Sequence, residues 1–186
     1  MSQRKFVGVE ASGKSIEVAV RPTGETWTMK AGEEGAIEIA DRLLCVQPDL
    51  IVLEAYGRFE LPVAGALASS RLPFALVSPR NVRDFARVIG KIAREPHEAE
   101  LLAQFAELVQ PDPQTVPEQV MQQLDELKNR RLDLNEMLAA ERNRVKSGVS
   151  ATAKDIQSHI QFLERAVKLN SEHFNRMVRT GRLPLP

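Results

Sequence analysis

Four glutamates stand where an α/β fold could bring their carboxylates together. Glu10 ends the apolar run FVGVE, and Glu54 ends the apolar run LIVLE. Glu95 and Glu98 lie three residues apart at the expected start of a helix, with Pro96 in its first turn, so both can share one helical face. Because functional groups gather at the carboxyl ends of neighbouring strands in open α/β sheets, this pattern predicts an acidic cluster.

Such a cluster could bind a divalent cation. Carboxylates held close together repel one another unless a cation neutralises them, and Mg²⁺ prefers hard oxygen ligands. Two such ions about 4 Å apart can clamp a phosphodiester, so the pattern indicates metal-dependent chemistry on nucleic acid. Taken singly, each acid also fits a solvated strand end or an exposed first turn of a helix. His97 could add a ligand, but no histidine follows it at the helical spacing of four.

The segments that must position these acids alternate between strand-like and helix-like patterns. FVGVE and SIEVAV, joined at Gly13-Lys14, predict a β-hairpin, and TWTMKA predicts a third strand. The continuous apolar run DLIVLEA is typical of a strand buried on both faces of a parallel sheet, and FALVS predicts a shorter strand. Helical spacing covers Gly35–Cys45, about Glu60–Ser70 and Asn81–Ile89. We therefore predict an α/β domain over residues 1–112, with a mixed sheet and flanking helices.

A different pattern begins after the prolines at positions 111, 113 and 117. Apolar residues recur at alternating steps of three and four in two stretches, which the segment KSGVSAT separates. This predicts that residues 113–186 form an antiparallel helical hairpin with a coiled-coil seam. Met121, Leu132 and Met137 lie outside the seam, so we expect a partner surface, most simply for a second copy of the chain.

Basic residues could bind a nucleic-acid backbone in two places. The segment SPRNVRDFARVIGKIAR, near the acids, carries Arg80, Arg83, Arg87, Lys91 and Arg94. The predicted hairpin carries a second group, Arg130, Arg131, Arg142, Arg144 and Lys146. A solvated face is the alternative for each group, and Asp84 offsets part of the first. Tyr56 and Phe59, beside Glu54, could each stack on a base or pack on the sheet.

Composition narrows the location and the class of the protein. The single cysteine, Cys45, excludes an internal disulfide and fits a reducing compartment. No apolar run reaches the roughly 18 residues needed to cross a membrane, and the first ten residues lack the apolar core of a signal peptide. We therefore expect a cytoplasmic protein without a membrane partner. The chain also lacks a glycine-rich phosphate loop, which argues against an enzyme of small phosphorylated metabolites.

Three segments resemble one family. They are FVGVEASGKSIEVAV, the block LIVLEAYGRFELPVAGALASSRLPFALVSPRNVRDFARVIGK, and EPHEAELLAQFAEL. Together they are similar to the N-terminal domain of the DEDD-type insertion-sequence transposases, a group that includes bridge-RNA-guided recombinases and Piv-type DNA invertases. The predicted hairpin, with AERNRV, resembles the segment that follows in those proteins.

The resemblance implies a RuvC-like, ribonuclease-H-type fold with four acids that bind Mg²⁺ or Mn²⁺. The family's first acid falls on Glu10, the acid of its middle string on Glu54, and its pair of aspartates on Glu95 and Glu98. The resemblance also implies DNA as the substrate, and a hairpin that contacts a guide RNA and a partner subunit.

Two departures from the family leave two functions open. The family has Asp at three of the four acid positions, whereas this chain has Glu, whose extra methylene would crowd an octahedral Mg²⁺ site. Family members also continue into a domain with a catalytic serine, and this sequence ends at RTGRLPLP. We expect either a transposase or recombinase domain that does not complete strand exchange alone, or a non-catalytic relative that binds nucleic acid as a regulatory dimer.

Overall fold

The computed structural model describes residues 3–56, 59–90, 98–146 and 152–180. The strands are β1 (Phe6–Ala11), β2 (Ser15–Arg21), β3 (Glu25–Lys30), β4 (Leu50–Glu54) and β5 (Phe74–Val77). The helices are α1 (Glu33–Val46), α2 (Leu61–Ser69), α3 (Pro79–Val88), α4 (Glu98–Val109), α5 (Glu118–Lys146) and α6 (Ala153–Thr180). Within these residues, every helix is too short or too polar to span a lipid bilayer.

The five strands form one mixed sheet in the order β3-β2-β1-β4-β5. Strands β1, β2 and β3 pair antiparallel, whereas β4 pairs parallel with β1, and β5 pairs parallel with β4. All five residues of β4 are buried, as its continuous apolar run predicts. Three antiparallel strands followed by two parallel ones make the ribonuclease-H-type mixed sheet that the sequence predicts, so the fold class is confirmed.

Helices cover both faces of the sheet because side chains alternate along each strand. Val7 and Val9 of β1 belong to a core that includes α1, α2 and parts of α5 and α6. Phe6 belongs to a second core, which α3 and α4 form against β4 and β5. We refer to these two sides of the sheet as the hairpin face and the α4 face.

Helix α4 crosses β1 in backbone contact at Gly8. A Cβ atom at Gly8 would lie 2.1 Å from the carbonyl oxygen of Ala99 and 2.2 Å from the amide nitrogen of Ala103. No side chain fits such a space, so glycine is required here for close approach rather than for a turn. The contact holds the first turn of α4 beside the carboxyl end of β1.

Helices α5 and α6 pack antiparallel and form the predicted hairpin. A small core lies between them, made of Leu134, Leu138, Ile160 and Leu163. Nearer the sheet, Leu124 and Phe174 join the core of the hairpin face. Gly65 of α2 permits this contact, because a Cβ atom there would lie 2.6 Å from the Phe174 ring. The division into domains 1–112 and 113–186 stays a prediction, since the base of the hairpin shares the core of the sheet.

We expect Gly8→Ala to lower the free energy of unfolding by at least about 2 kcal/mol, because the added methyl group overlaps backbone atoms of α4. Urea denaturation measures the change. Gly13→Ala is the matched control, since its Cβ atom would lie 3.4 Å from the Phe59 ring, and it should cost less than about 1 kcal/mol. Equal stability of Gly8→Ala and the wild type would show that α4 does not touch β1 in this way.

Candidate functional site

Three of the four predicted glutamates come together at the carboxyl edge of the sheet, on the α4 face. Glu10 and Glu54 lie side by side because β1 and β4 pair in parallel and each acid follows the last paired residue of the apolar run. Glu98 begins α4, and its carboxyl group is hydrogen-bonded to that of Glu10. The packing of α4 on Gly8 therefore places a third carboxylate beside two that the strand ends position.

A fourth carboxylate at this edge, Glu17, is absent from the predicted set. The register of β1 and β2 sets Glu17 directly opposite Glu10. The predicted hairpin already contained the signal, because a turn centred on Gly13-Lys14 pairs the residue three before Gly13 with the residue three after Lys14. We refer to Glu10, Glu17, Glu54 and Glu98 as the acid cluster.

The acid cluster perturbs the protonation of Glu10. Burial, the hydrogen bond to Glu98 and the charges of Glu98, Glu17 and Glu54 raise the pKa of Glu10 to about 7. A carboxyl group with this pKa holds its proton half of the time at neutral pH. The proton allows Glu10 to donate the hydrogen bond to Glu98.

Glu54 is buried, and some of its surroundings raise its pKa while others lower it. Burial raises the pKa of Glu54, the hydrogen bond from the Tyr56 hydroxyl opposes this, and the charges of Glu98 and Arg83 raise and lower it respectively. Burial and the charge of Glu54 also raise the pKa of Tyr56. Tyr56 is 54% exposed and offers aromatic surface to solvent beside the cluster, whereas Phe59 is 41% exposed and its ring lies next to Gly13 in the turn between β1 and β2.

The carboxylate oxygens of the acid cluster are the type of ligand that a hard divalent cation prefers, but they are not close enough together to hold one. Carboxylate oxygens are the ligands that Mg²⁺ prefers. Among the described residues, however, no three acidic, histidine or cysteine side chains are grouped closely enough to hold an ion. Glu10 and Glu98 bond to each other instead, so their shared proton must leave before both carboxylates can bind one ion.

The predicted basic residues near the acids lie on the outer surface of α3. Arg80, Arg83 and Arg87 are exposed. Asp84 pairs with Arg80 at 3.8 Å and with Arg87 at 3.3 Å, so it offsets part of the positive charge. Arg83 contributes a positive charge beside Glu54. Four further predicted residues lie outside the described part of the chain: Lys91, Arg94, Glu95 and His97.

Four of the five basic residues predicted on the hairpin are exposed: Arg130, Arg142, Arg144 and Lys146. The expectation for Arg131 is wrong, because its side chain is 3% exposed and pairs with Glu33 of α1. Burial lowers the pKa of the Arg131 guanidinium, and the charge of Glu33 opposes this. Arg131 occupies a seam position of α5, which turns its side chain inward. It therefore links the hairpin to α1 and does not reach a ligand in solvent.

Comparison with known proteins gives no family. The chain matches no protein-family model and no curated protein sequence. Among solved structures it is similar to RuvC of T. thermophilus in complex with Holliday junction substrate, at 13% identity and a TM-score of 0.41. The match covers 60% of this chain and 99% of that one.

We expect the free energy of unfolding to fall as pH rises from about 5 to 8 in buffer with a chelator. The pKa of Glu10 is about 7 in the folded chain against 4.5 without the fold, so its proton stabilises the fold fully below pH 4.5. That stabilisation is lost as pH rises through 7. Glu10→Gln keeps a hydrogen-bond donor that does not titrate, so it should flatten the profile by on the order of 1 kcal/mol, since solvent screens part of the effect.

Urea denaturation at several pH values measures this profile. Glu126→Gln, a change on the exposed side of α5, is the control and should leave the slope unchanged. A Glu10→Gln profile with the same slope as the wild type would contradict the shared proton.

Proposed function

We propose that this chain is a nucleic-acid-processing domain of the DEDD transposase and recombinase class. In this proposal it binds DNA or structured RNA and holds a divalent cation at the acid cluster. The observation that carries the proposal is the convergence of Glu10, Glu54 and Glu98 at one edge of the sheet. These are positions at which the sequence resemblance implies metal-binding acids, and they come from three separate segments of the chain.

Each residue around the cluster has a role in this proposal. Glu10, Glu54 and Glu98 hold Mg²⁺ or Mn²⁺, together with Glu95. When bound, the ion supplies charge stabilisation to a phosphodiester and lowers the pKa of a water molecule. Arg83, exposed and close to Glu54, suits a backbone phosphate.

Tyr56 supports the cluster in two ways under this proposal. Its hydroxyl donates a hydrogen bond to Glu54, which orients that carboxylate, and its half-exposed ring offers a stacking surface to a base. Packing on the sheet, the alternative for this ring, accounts only for the part that is buried.

The electrostatic cost of the cluster supports a binding role. Four carboxylates near one sheet edge repel one another, and pKa values shifted by burial and like charges are found preferentially at functional sites. Glu10, Glu54 and Glu98 would hold a divalent cation once the proton between Glu10 and Glu98 has left, and the charge of the ion would offset this repulsion.

The hydrogen bond between Glu10 and Glu98 also favours a second function. Carboxyl groups that share a proton form a self-contained pair, and the family's three aspartates are glutamates here. Both features fit a non-catalytic relative that binds nucleic acid through its basic surfaces alone. Such a protein would act as a regulatory dimer.

A second copy of the chain is the partner that we propose for the hairpin. Of the apolar residues predicted outside the seam, Leu132 and Met137 are exposed and Met121 is half-buried. Phe162 and Leu169 of α6 add larger exposed surfaces, and among the described residues the three most exposed large apolar side chains of the hairpin are Met137 (46%), Phe162 (58%) and Leu169 (66%). Phe162 and Leu169 lie seven residues apart and share one side of α6, so two copies could bury this patch in a symmetric contact.

We expect calorimetry at pH 8 to show Mn²⁺ uptake by the wild type and none by Glu54→Gln, because the amide removes the buried anionic ligand. Glu126→Gln serves again as the control and should bind Mn²⁺ as the wild type does. Absence of uptake by the wild type would remove the metal from the proposal. Cleavage of duplex or branched DNA with Mn²⁺, lost in Glu54→Gln, would establish the nuclease function, whereas binding without cleavage would establish the non-catalytic one.

We expect Phe162→Ser combined with Leu169→Ser to convert a dimer into a monomer in sedimentation experiments, because the change removes the apolar surface that two copies would bury. Leu108→Ser is the matched control, since Leu108 is 61% exposed on α4, which packs on the other face of the sheet from the hairpin. A wild type that is monomeric, or a double variant that stays dimeric, would exclude this contact.

A further inference from the structure

The acid cluster and the hairpin lie on opposite faces of the sheet but meet at the same edge. Strand β3 runs in the same direction as β1, because both pair antiparallel with β2. The end of β3 at Lys30, and Glu33 just after it, therefore lie at the edge where Glu10 lies. Arg131 pairs with Glu33, so α5 reaches this edge at Arg131.

Beyond Arg131, helix α5 projects past the edge. The helix starts at the opposite edge, where Glu118 pairs at 2.6 Å with Arg71, which precedes β5. The fifteen residues from Arg131 to Lys146 then rise about 22 Å further. The end of the hairpin thus overhangs the edge of the sheet that carries the acid cluster.

A buried polar junction fixes the hairpin at that edge. Glu33 accepts hydrogen bonds from Ser171 Oγ at 2.6 Å and Asn175 Nδ2 at 2.9 Å, in addition to its ion pair with Arg131. Arg131 Nε donates to Asn170 Oδ1 at 3.1 Å. Because one side chain of α1 is bound by both long helices, the hairpin cannot rotate about its axis without breaking these bonds.

Heptad spacing identifies the side of α5 that faces the sheet. Lys128 pairs with Asp41 of α1 at 3.4 Å, and Asn135 lines a cavity of about 310 Å³ at the start of α1. Residues seven apart lie on the same side of a helix, so Arg142 continues this side beyond the edge, and Lys146 follows one turn later. We refer to this as the inner side.

The opposite side of α5 carries a second line at the same spacing. Arg130, Met137 and Arg144 lie two positions after Lys128, Asn135 and Arg142, which is about 200° around the helix. We refer to this as the outer side. It includes Met137, one of the apolar residues proposed above for contact with a second copy.

We propose that the inner side of the hairpin holds the phosphate backbone of a nucleic-acid duplex that lies across the acid cluster. Arg142 and Lys146 provide the contacts, and the outer side is left for a second copy of the chain. Arg142 pairs with Glu164 at 2.9 Å, and both side chains are exposed. Because a surface ion pair of this kind contributes little to the free energy of folding, a phosphate can replace the carboxylate. This inference rests on the proposed function and adds the direction from which the ligand is held.

Two double variants of the full chain test this division, because they remove the same charge from the two sides of one helix. The inner pair is Arg142→Ala with Lys146→Ala, and the outer pair is Arg130→Ala with Arg144→Ala. All four side chains are exposed, and circular dichroism checks that both variants keep the fold. Binding of a fluorescein-labelled DNA duplex of about 30 base pairs is followed by anisotropy at several salt concentrations, in EDTA.

We expect the inner pair to bind about tenfold more weakly at ~0.1 M salt and to reduce the salt slope of the affinity by about 2, as the loss of two phosphate contacts predicts. The outer pair should stay within about twofold of the wild type. Equal losses, a larger loss for the outer pair, or no loss for the inner pair while the wild type binds would overturn this inference alone. A wild type that binds no duplex at low salt would overturn the proposed nucleic-acid function as well.

Discussion

Helix α4 and strand β1 approach so closely at Gly8 that their backbones touch, and this contact determines where the carboxylates lie. The contact holds Glu98 at the start of α4 within hydrogen-bond reach of Glu10 near the end of β1. Burial of the carboxyl groups and repulsion between their charges both oppose the arrangement, and both raise the pKa of Glu10. Burial of Leu102 and Phe105 from the same helix contributes about 1.5–3 kcal/mol for each side chain, so packing is strong enough to hold the acids together.

The two faces of the sheet have different roles: one carries the acids, and the other holds the hairpin. On the α4 face, the strand ends and the first turn of α4 present acids, and an exposed arginine and the ring of Tyr56 lie beside them. On the hairpin face, apolar packing on α2 and the junction of Arg131 with Glu33 hold two long helices at a fixed direction. Both faces reach the same edge of the sheet, since Glu10 and the pair of Arg131 with Glu33 lie there.

The sequence predicts the strands and helices and most of the acid cluster, because runs of apolar residues indicate buried strands. Glu10 and Glu54 could be placed at strand ends from the runs that precede them, and Glu98 at a helix start from its neighbours. The pattern of residues within one segment does not show which residues pair across neighbouring strands, nor which elements pack in close contact. Glu17 can be assigned to the cluster only from the register of β1 and β2. Gly8 cannot be told from any other strand residue until the packing of α4 against it is known. A charged residue in a heptad seam, such as Arg131, gives no local sign that it pairs across the junction.

A crystal soaked with Mn²⁺ at pH 8 and measured for anomalous scattering tests the central claim, that packing assembles these acids into an ion site. We predict a peak between Glu10, Glu54 and Glu98, with carboxylate oxygens about 2.0–2.6 Å away and the bond between Glu10 and Glu98 broken. A map without a peak there at saturating Mn²⁺, with those two carboxyl groups still bonded to each other, would contradict the account.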